Sequence, residues 1–444
     1  IDGRLVYVDF FNVAFPLYQK EYYSWPDMVL YYNNEKVTFI LDYPELRDCG
    51  EVNFRRYILN DKKFRTNYSK WNRAVADFKK FQKIINTKLV AELSRPGLDR
   101  LFGDWRKKYL RFWVIGQLPE LANWGGEEIL KKELKKKIPA ADFNWVFEKL
   151  SAPEYLSFYQ KAELELLKLR SINDPKTLGN KLASYQATHF WILNNYHHPR
   201  MLSKEYFKKE LKNYSPEAAW KKIEELENWS RKVQREKKEI IKKFKLDKNI
   251  AKISERLAFC IWWQDARKFY IFLANHQINI FLKRYAREYG MSKNDLADYS
   301  YSELLSLIKN NKKLTSRQLR DRRVGLVAYY TKSSNAQKYF SGNQVKKFIA
   351  PYLEIKINKS IKEIKGLVVS GGENIRAKVK ILTSPKEASK LKKGEILVAA
   401  MTSPDYITAI KKASAIITDE GGMTCHAAIV SRELKIPCIV ATKI

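Results

Sequence analysis

Cysteine is scarce in this sequence, and its scarcity excludes several classes of protein. The chain of 444 residues contains four cysteines: Cys49, Cys260, Cys425 and Cys438. Four thiols at these separations form neither a disulfide framework nor a four-thiolate metal site. Histidine is also rare, and the adjacent pair His197 and His198 has no cysteine or acidic partner at metal-binding spacing. We therefore expect a reducing, cytoplasmic location and no metal site.

Long apolar runs are missing as well. The most apolar long stretch, residues 257–282, is interrupted by Asp265, Arg267 and Lys268, whereas a membrane-spanning helix needs roughly 20 mostly apolar residues. This stretch therefore predicts a buried helix of a protein without membrane contact. Because the first residue is Ile1 rather than Met, we expect the chain to be a fragment whose native start is missing.

Acidic residues are too few to balance the basic ones. Lys and Arg number 83 and Asp and Glu number 49, which gives a net charge of +34, and most of the excess lies upstream of residue 360. Such a balance favours anionic partners, although a lysine-rich proteome would give the same value. One hypothesis is therefore a non-catalytic basic helical module that binds nucleic acid or an acidic partner. Residues 231–249 predict an amphipathic helix, and we interpret its cationic face as solvated.

Glycine is sparse until the last quarter of the chain, and this contrast divides the sequence. From residue 66 to 315 helix formers dominate, with capping patterns at Ser292 and Ser300. Before this region, residues 37–41 and 52–58 read as short strands, and after it residues 324–330 and 338–340 read as a hairpin around a Ser-Ser-Asn turn. The end of the chain then alternates strand-like and helix-like pieces.

The sequence thus predicts a multidomain α+β protein. We expect a large, mainly α-helical N-terminal domain with a small β element near its start, followed by a C-terminal α/β domain. The predicted boundaries are 1–65 for the β element, 66–315 for the helical domain, 316–365 for the hairpin and linker, and 366–444 for the α/β domain.

Residues 415–440 carry the most informative chemistry. An apolar β-branched run ends at Thr418, a loop with Gly421 and Gly422 follows, and His426 opens a helix. The glycines let the backbone turn and let a bulky partner approach, and amides at a helix start favour an anion by about 0.3–1 kcal/mol. A phosphoryl group on the imidazole would be stabilised there. Thr424 is placed to hydrogen-bond the ring or a phosphate oxygen, and Arg432 is the nearest cation in the segment.

The run from Thr418 to Pro437, Thr-Asp-Glu-Gly-Gly-Met-Thr-Cys-His-Ala-Ala-Ile-Val-Ser-Arg-Glu-Leu-Lys-Ile-Pro, resembles the phosphohistidine signature of a known family. This family is the swivelling domain of phosphoenolpyruvate synthase, pyruvate phosphate dikinase and rifampicin phosphotransferase. Blocks at 393–398, 402–406 and 413–415 also resemble the family, in the same order. The resemblance covers about 80 residues and implies that His426 is a phosphoryl carrier, with Thr424, Gly421 and Gly422 shaping its pocket.

The resemblance also implies partners. We expect a phosphotransferase, kinase- or dikinase-like, that passes a phosphoryl group from a nucleotide-binding domain to an acceptor such as pyruvate or another small molecule. No Gly-rich phosphate-binding motif occurs in the sequence. ATP and Mg²⁺ are therefore expected to come with a separate nucleotide-binding domain or protein, and this chain alone is expected to bind no cofactor.

A weaker similarity links the helical region to rifampicin-phosphotransferase-like proteins. It suggests an acceptor pocket on the helix that contains Trp262, Trp263, Arg267 and Lys268. The alternative is an aromatic core helix with a surface cation, and the sequence favours that alternative.

Three features depart from the family pattern, and one of them is a weakened Pro-Gly-x-x-x-Gly opening around Ser370-Gly-Gly-Glu-Asn-Ile375. Lys435 stands where the family usually has Gly, so a left-handed helix cap there would be strained by about 1 kcal/mol. The chain also ends at Ile444, before the last strands that the family normally has, so we expect the swivelling domain to be truncated.

Overall fold

A computed structural model describes residues 3–197, 199–332, 337–353, 363–422 and 425–442. Thr424, His198, the Ser-Ser-Asn turn and much of the proposed linker lie outside these residues. The structure is mainly helical, with a mixed sheet near the C-terminus. Among the described residues, no helix combines the length and the apolar character needed to cross a membrane.

The larger, helical unit runs from α1 to α17. Its helices are α1 (Leu5–Val8), α2 (Phe10–Gln19), α3 (Tyr43–Asn53), α4 (Asp61–Ile84), α5 (Thr87–Glu92), α6 (Arg95–Lys135), α7 (Ala140–Ser151), α8 (Phe158–Leu167), α9 (Pro175–His189), α10 (Lys204–Lys212), α11 (Pro216–Glu227), α12 (Trp229–Lys243), α13 (Lys248–Tyr289), α14 (Lys293–Ala297), α15 (Tyr301–Asn310), α16 (Ser316–Val324) and α17 (Asn343–Leu353). Its strands are β1 (Met28–Asn33), β2 (Lys36–Leu41), β3 (Leu326–Tyr330) and β4 (Gln337–Ser341).

Two long helices, α6 and α13, form the centre of the helical unit. Trp105 Nε1 on α6 donates to Gln277 Oε1 on α13 at 2.7 Å, and the rings of Phe102 and Phe281 meet edge to face at 5.1 Å. Both helices present aromatic side chains to each other, which bury large apolar areas and pack at preferred angles. The prediction of a buried helix at residues 257–282 is confirmed.

The strand predicted at residues 52–58 is wrong. Residues 43–53 form α3, and a π-helical turn, Phe54–Ile58, continues it. Asp42 caps α3 by accepting a hydrogen bond from Glu45 N at 2.7 Å, and Gly50 lets α3 cross α6 in backbone contact with Gly125. This packing overrides the strand preference of the β-branched and aromatic residues.

A four-stranded antiparallel sheet joins the two ends of the helical unit. Its strand order is β2-β1-β3-β4, so β1 pairs with both β2 and β3. The predicted strand at 37–41 and the predicted hairpin are confirmed as β2 and as β3 with β4. Neither β1 nor its pairing with β3 is predicted from the sequence. The caps at Ser292 and Ser300 are confirmed, because each hydroxyl accepts from the backbone amide three residues on.

The C-terminal unit is an α/β layer of five strands. Its elements are β5 (Leu367–Ser370), β6 (Val379–Ile381), β7 (Ile396–Ala399), α18 (Ile407–Ile410), β8 (Ala415–Thr418), α19 (His426–Leu434) and β9 (Cys438–Val440). The order is β5-β9-β8-β7-β6, with β6 to β9 parallel and β5 antiparallel to β9. The loop between Thr418 and His426, which we call the histidine loop, therefore leaves the carboxyl end of β8, the edge where open parallel sheets bind ligands.

The two units meet along what we call the docking interface. Polar contacts between described residues cross it, among them Arg432 Nε with Glu148 Oε2 (3.6 Å), Gln160 Nε2 with Glu433 Oε1 (3.1 Å), Asn195 Nδ2 with Asp405 Oδ2 (3.0 Å), and Lys386 Nζ with Glu35 Oε2 (3.3 Å). The helix α19 lies at this interface, so the candidate phosphoryl carrier faces the helical unit.

Candidate functional site around His426

His426 is the first residue of α19. Cys425 precedes it in an extended conformation, with φ −71° and ψ 167°, and acts as the N-cap residue. Thr418 ends β8 seven residues earlier than Cys425, so strand, loop and helix follow one another as the sequence predicts. The imidazole consequently sits at a helix start, where backbone amides attract negative charge.

The ring of His426 is held by one hydrogen bond and is only partly exposed. Its Nδ1 lies 2.9 Å from Thr402 Oγ1. Burial, and then the nearby cation of Lys268, lowers the pKa of His426 to about 3. The imidazole is therefore neutral near pH 7. When Nδ1–H donates to Thr402, the lone pair is on Nε2, which is the form that attacks an electrophile.

Thr402 is a site residue that the sequence does not predict. It lies in the loop after β7, within the family-like block 402–406. The side chain is 9% exposed. Parallel β7 and β8 are neighbours in the sheet, so their carboxyl ends lie together; this adjacency was the signal that could have paired Thr402 with the histidine loop.

Gly421 and Gly422 occupy positions where a side chain would collide. Gly421 has φ 123°, and a Cβ there would lie 2.8 Å from Cys425 Sγ. A Cβ on Gly422 would lie 3.0 Å from Glu127 Oε1 on α6. The two glycines thus let the histidine loop turn and let it approach the helical unit. Thr424, the third predicted support, is outside the described residues.

Arg432 does not reach His426 in this arrangement. Its Nε donates to Val369 O at 2.7 Å, and it pairs with Glu148 across the docking interface. Six residues along a helix correspond to about 9 Å along its axis, which explains the separation. The cation that acts on His426 is Lys268 of the helical unit.

The four residues of the suggested acceptor pocket do not form one surface. Arg267 is 3% exposed, donates to Gly116 O at 3.0 Å and pairs with Glu120 inside the helical unit. Trp263 is fully buried, so for these two residues the structure places the side chains in the core. Trp262 is partly buried beside Tyr155, with ring centroids 5.0 Å apart. Of the four, Lys268 alone affects the pKa of His426.

Within the described ranges, no three His, Cys, Asp or Glu side chains are grouped so that they could hold a metal ion. Lys131 of the helical unit pairs with Glu127 at 2.7 Å and is shared with Glu128 at 3.3 Å. The site therefore offers an imidazole, a hydroxyl, helix amides and one cation for the transfer of an anionic group, and its loop also carries the acidic residues Asp419 and Glu420.

Comparison with known proteins agrees with this chemistry. The family model "PEP-utilising enzyme, mobile domain" matches residues 391–444. Over 81 residues the chain is 58% identical to a probable phosphoenolpyruvate synthase of Archaeoglobus fulgidus, covering 18% of this chain and 11% of that protein. The phosphoenolpyruvate synthase of Pyrococcus furiosus is 54% identical over 80 residues, 18% of this chain and 10% of that protein.

A probable phosphoenolpyruvate synthase of Methanothermobacter thermautotrophicus is 57% identical over 79 residues, again 18% of this chain and 11% of that protein. The chain thus spans about a tenth of the length of the curated relatives that it matches. The matched part contains β7, β8, α19 and the histidine loop. The C-terminal segment that carries His426 therefore matches the mobile-domain family of PEP-utilising enzymes.

Proposed function

We propose that this chain is a phosphotransfer protein in which His426 carries a phosphoryl group between two sites. The observation that supports this most directly is the geometry of the imidazole. It is neutral, its Nδ1 contacts Thr402, and it opens a helix in a segment that matches a family of PEP-utilising enzymes.

In the loading step, Nε2 of His426 attacks the terminal phosphorus of a nucleotide donor. The bond from phosphorus to the leaving oxygen breaks, the N–P bond forms, and Thr402 keeps the Nδ1 proton in place. The nucleotide and Mg²⁺ are supplied by a nucleotide-binding partner, where the metal neutralises charge on the phosphates. The amides at the start of α19 stabilise the phosphoryl oxygens on the carrier.

In the unloading step, an oxygen of the acceptor attacks the phosphorus and the N–P bond breaks. The acceptor would be pyruvate or another small molecule, since the relatives of this segment are phosphoenolpyruvate synthases. Lys268 is the cation of the helical unit that acts on His426, and it would stabilise a phosphoryl group there electrostatically. Glu127 beside Gly422 would oppose it, so we expect loading to take place after the two units separate.

The test is intact-mass measurement of the full chain after treatment with phosphoramidate, a small donor that phosphorylates reactive imidazoles, and after incubation with ATP, Mg²⁺ and a candidate nucleotide-binding domain. We expect one added phosphoryl group that is labile in acid and stable in base. The His426→Ala variant should gain none, and the control His276→Gln should behave as the wild type. An unmodified wild type under both treatments, or equal labelling of His426→Ala, would reject the proposal.

A further inference from the structure

A cavity of about 540 Å³ lies between the two units. The helical unit contributes Glu35, Tyr159, Asn195 and Arg200 to its lining, and the C-terminal unit contributes Lys386 and Asp405. This volume is within the range of small-molecule sites, which occur preferentially at interfaces between domains. None of the residues that we assign to phosphoryl transfer lines it.

The lining carries two carboxylates, Glu35 and Asp405, and two cations, Lys386 and Arg200. The Glu35 carboxylate interacts with Arg4 at 2.6 Å, with His197 Nε2 at 2.5 Å and with Lys386 at 3.3 Å. Burial of Glu35 opposes its ionisation, but these partners lower its pKa to about 2. One carboxylate is thus shared by several donors. Arg200 is exposed and forms no ion pair with any residue that the structure describes.

The rest of the lining offers hydrogen-bonding groups for hydroxyls. Asn195 Nδ2 donates to Asp405 Oδ2 at 3.0 Å. The hydroxyl of Tyr159 is shielded from solvent and has no hydrogen-bond partner among the described residues. Burial, and then the charge of Asp405, raises the pKa of Tyr159 well above its usual value, so the hydroxyl keeps its proton and can donate it. A buried donor without a partner is costly unless a ligand or water satisfies it.

We propose that this cavity is a binding site for a small hydroxylated anion, with its carboxylate or phosphate on Arg200 and Lys386 and its hydroxyl groups on Asp405 and Tyr159. Both units contribute to the walls, so the bound ligand stabilises the docked arrangement. His426 does not line this cavity, so the proposed binding site does not depend on the proposed phosphoryl transfer.

Calorimetric titration of the full chain with four probes tests the proposal. The probes are glycerol 3-phosphate, glycerate, inorganic phosphate and glycerol. We expect the first two to bind, inorganic phosphate to bind more weakly because it lacks the carbon-bound hydroxyls, and glycerol not to bind. Binding should also raise the melting temperature of the chain. No binding of either hydroxylated anion at millimolar concentration, or equal binding of inorganic phosphate, would overturn the proposal.

Two arginine variants locate the site. Arg200→Gln should weaken binding of the hydroxylated anion by about tenfold or more, because a hydrogen bond to a charged group is lost. Arg376 is also exposed and does not line the cavity, so Arg376→Gln is the matched control and should bind as the wild type does. His426→Ala should bind normally while losing phosphorylation. Equal losses in the two arginine variants would place the binding elsewhere.

Discussion

At the scale of the residue, the charge state of His426 depends on what surrounds it. Burial is the larger cause of its low pKa, and Lys268 is the second. His276 can be compared with His426, because burial and then the charge of Lys283 lower the pKa of His276 to about 4. A different lysine therefore disfavours the charged form of each imidazole: Lys268 acts on His426 and Lys283 acts on His276. Both lysines lie on α13, on different turns.

This pairing predicts how the two histidines titrate. In a histidine NMR titration, neither ring should protonate between pH 8 and pH 5. Lys268→Met should raise the pKa of His426 and leave that of His276 unchanged, and Lys283→Met should do the reverse. A shift of both resonances in either variant would contradict the assignment.

The same pKa sets the sign of a stability change. An unfolded histidine protonates near pH 6.5, whereas folded His426 does so near pH 3. Between these two pH values the unfolded state binds one more proton than the folded state. The free energy of unfolding therefore falls as the pH falls, by up to about 1.4 kcal/mol per pH unit. Above pH 6.5 this contribution is constant. Urea unfolding of wild type and His426→Gln at a series of pH values should show a difference that changes only below about pH 6.5.

Thr402 is a positioning residue, since it contacts Nδ1 rather than the reacting nitrogen. Thr402→Val removes the hydrogen bond that fixes the tautomer and should slow phosphorylation of His426 by about tenfold. Thr402→Ser keeps the hydroxyl and should restore the rate. Slowing by both variants to the same extent would indicate a packing role instead.

At the scale of the element, the crossing of α3 and α6 is set by two glycines. A Cβ at Gly125 would lie 1.9 Å from Glu51 N, whereas a Cβ at Gly103 on the same helix would meet nothing within 4 Å. The helix α6 therefore offers one position where glycine is required and one where it is only tolerated.

We expect Gly125→Ala to reduce the free energy of unfolding by about 3 kcal/mol, because backbone must move to admit the methyl group. Gly103→Ala should raise it by about 0.5–1 kcal/mol, because alanine is the better helix former. Chemical denaturation measures both. A tolerated Gly125→Ala would show that the two helices do not cross as closely as described.

The end of α19 carries the strain expected for its sequence. Lys435 has φ 55° and ψ 39°, in the left-handed region, and Ile436 N donates to Ser431 O at 2.8 Å. Lys435→Gly should raise stability by about 1 kcal/mol. Lys411 ends α18 with ordinary helical angles, φ −61° and ψ −17°, so Lys411→Gly should give no gain. Equal effects of the two changes on the melting temperature would refute the argument.

At the scale of the whole molecule, the docking interface shields the histidine loop. Cys425 is partly buried in this arrangement, and Cys260 is fully buried in the helical core. Glu148 and Gln160 provide two of the contacts from the helical side. Gln160 Oε1 also accepts a hydrogen bond from Ser157 N at 2.9 Å in the capping box of α8, so the control for the fold is part of the experiment.

The double variant Glu148→Ala with Gln160→Ala should therefore increase the rate at which a thiol reagent labels Cys425, by several-fold. Cys260 should stay unlabelled and serves as the internal control for unfolding. Mass spectrometry of the digested protein distinguishes the two sites. An unchanged rate at Cys425 would mean that these contacts do not hold the units together.

The sequence by itself determined the local features. Hydroxyl and acid at fixed spacing predicted the caps of α14 and α15, apolar continuity predicted α13, and the run around His426 predicted the order of strand, loop and helix. Each of these depends on residues that are near one another in the chain, where periodicity and capping chemistry are sufficient.

Only the tertiary structure decided the rest. The helix at residues 52–53 with the π-helical turn that follows, the pairing of β1 with β3, and the contact of Thr402 with His426 all depend on partners distant in sequence. The burial of Arg267 and the role of Lys268 also could not be read from neighbouring positions on one helix. Packing selects among locally acceptable conformations, and the partner that selects is not encoded in the local pattern.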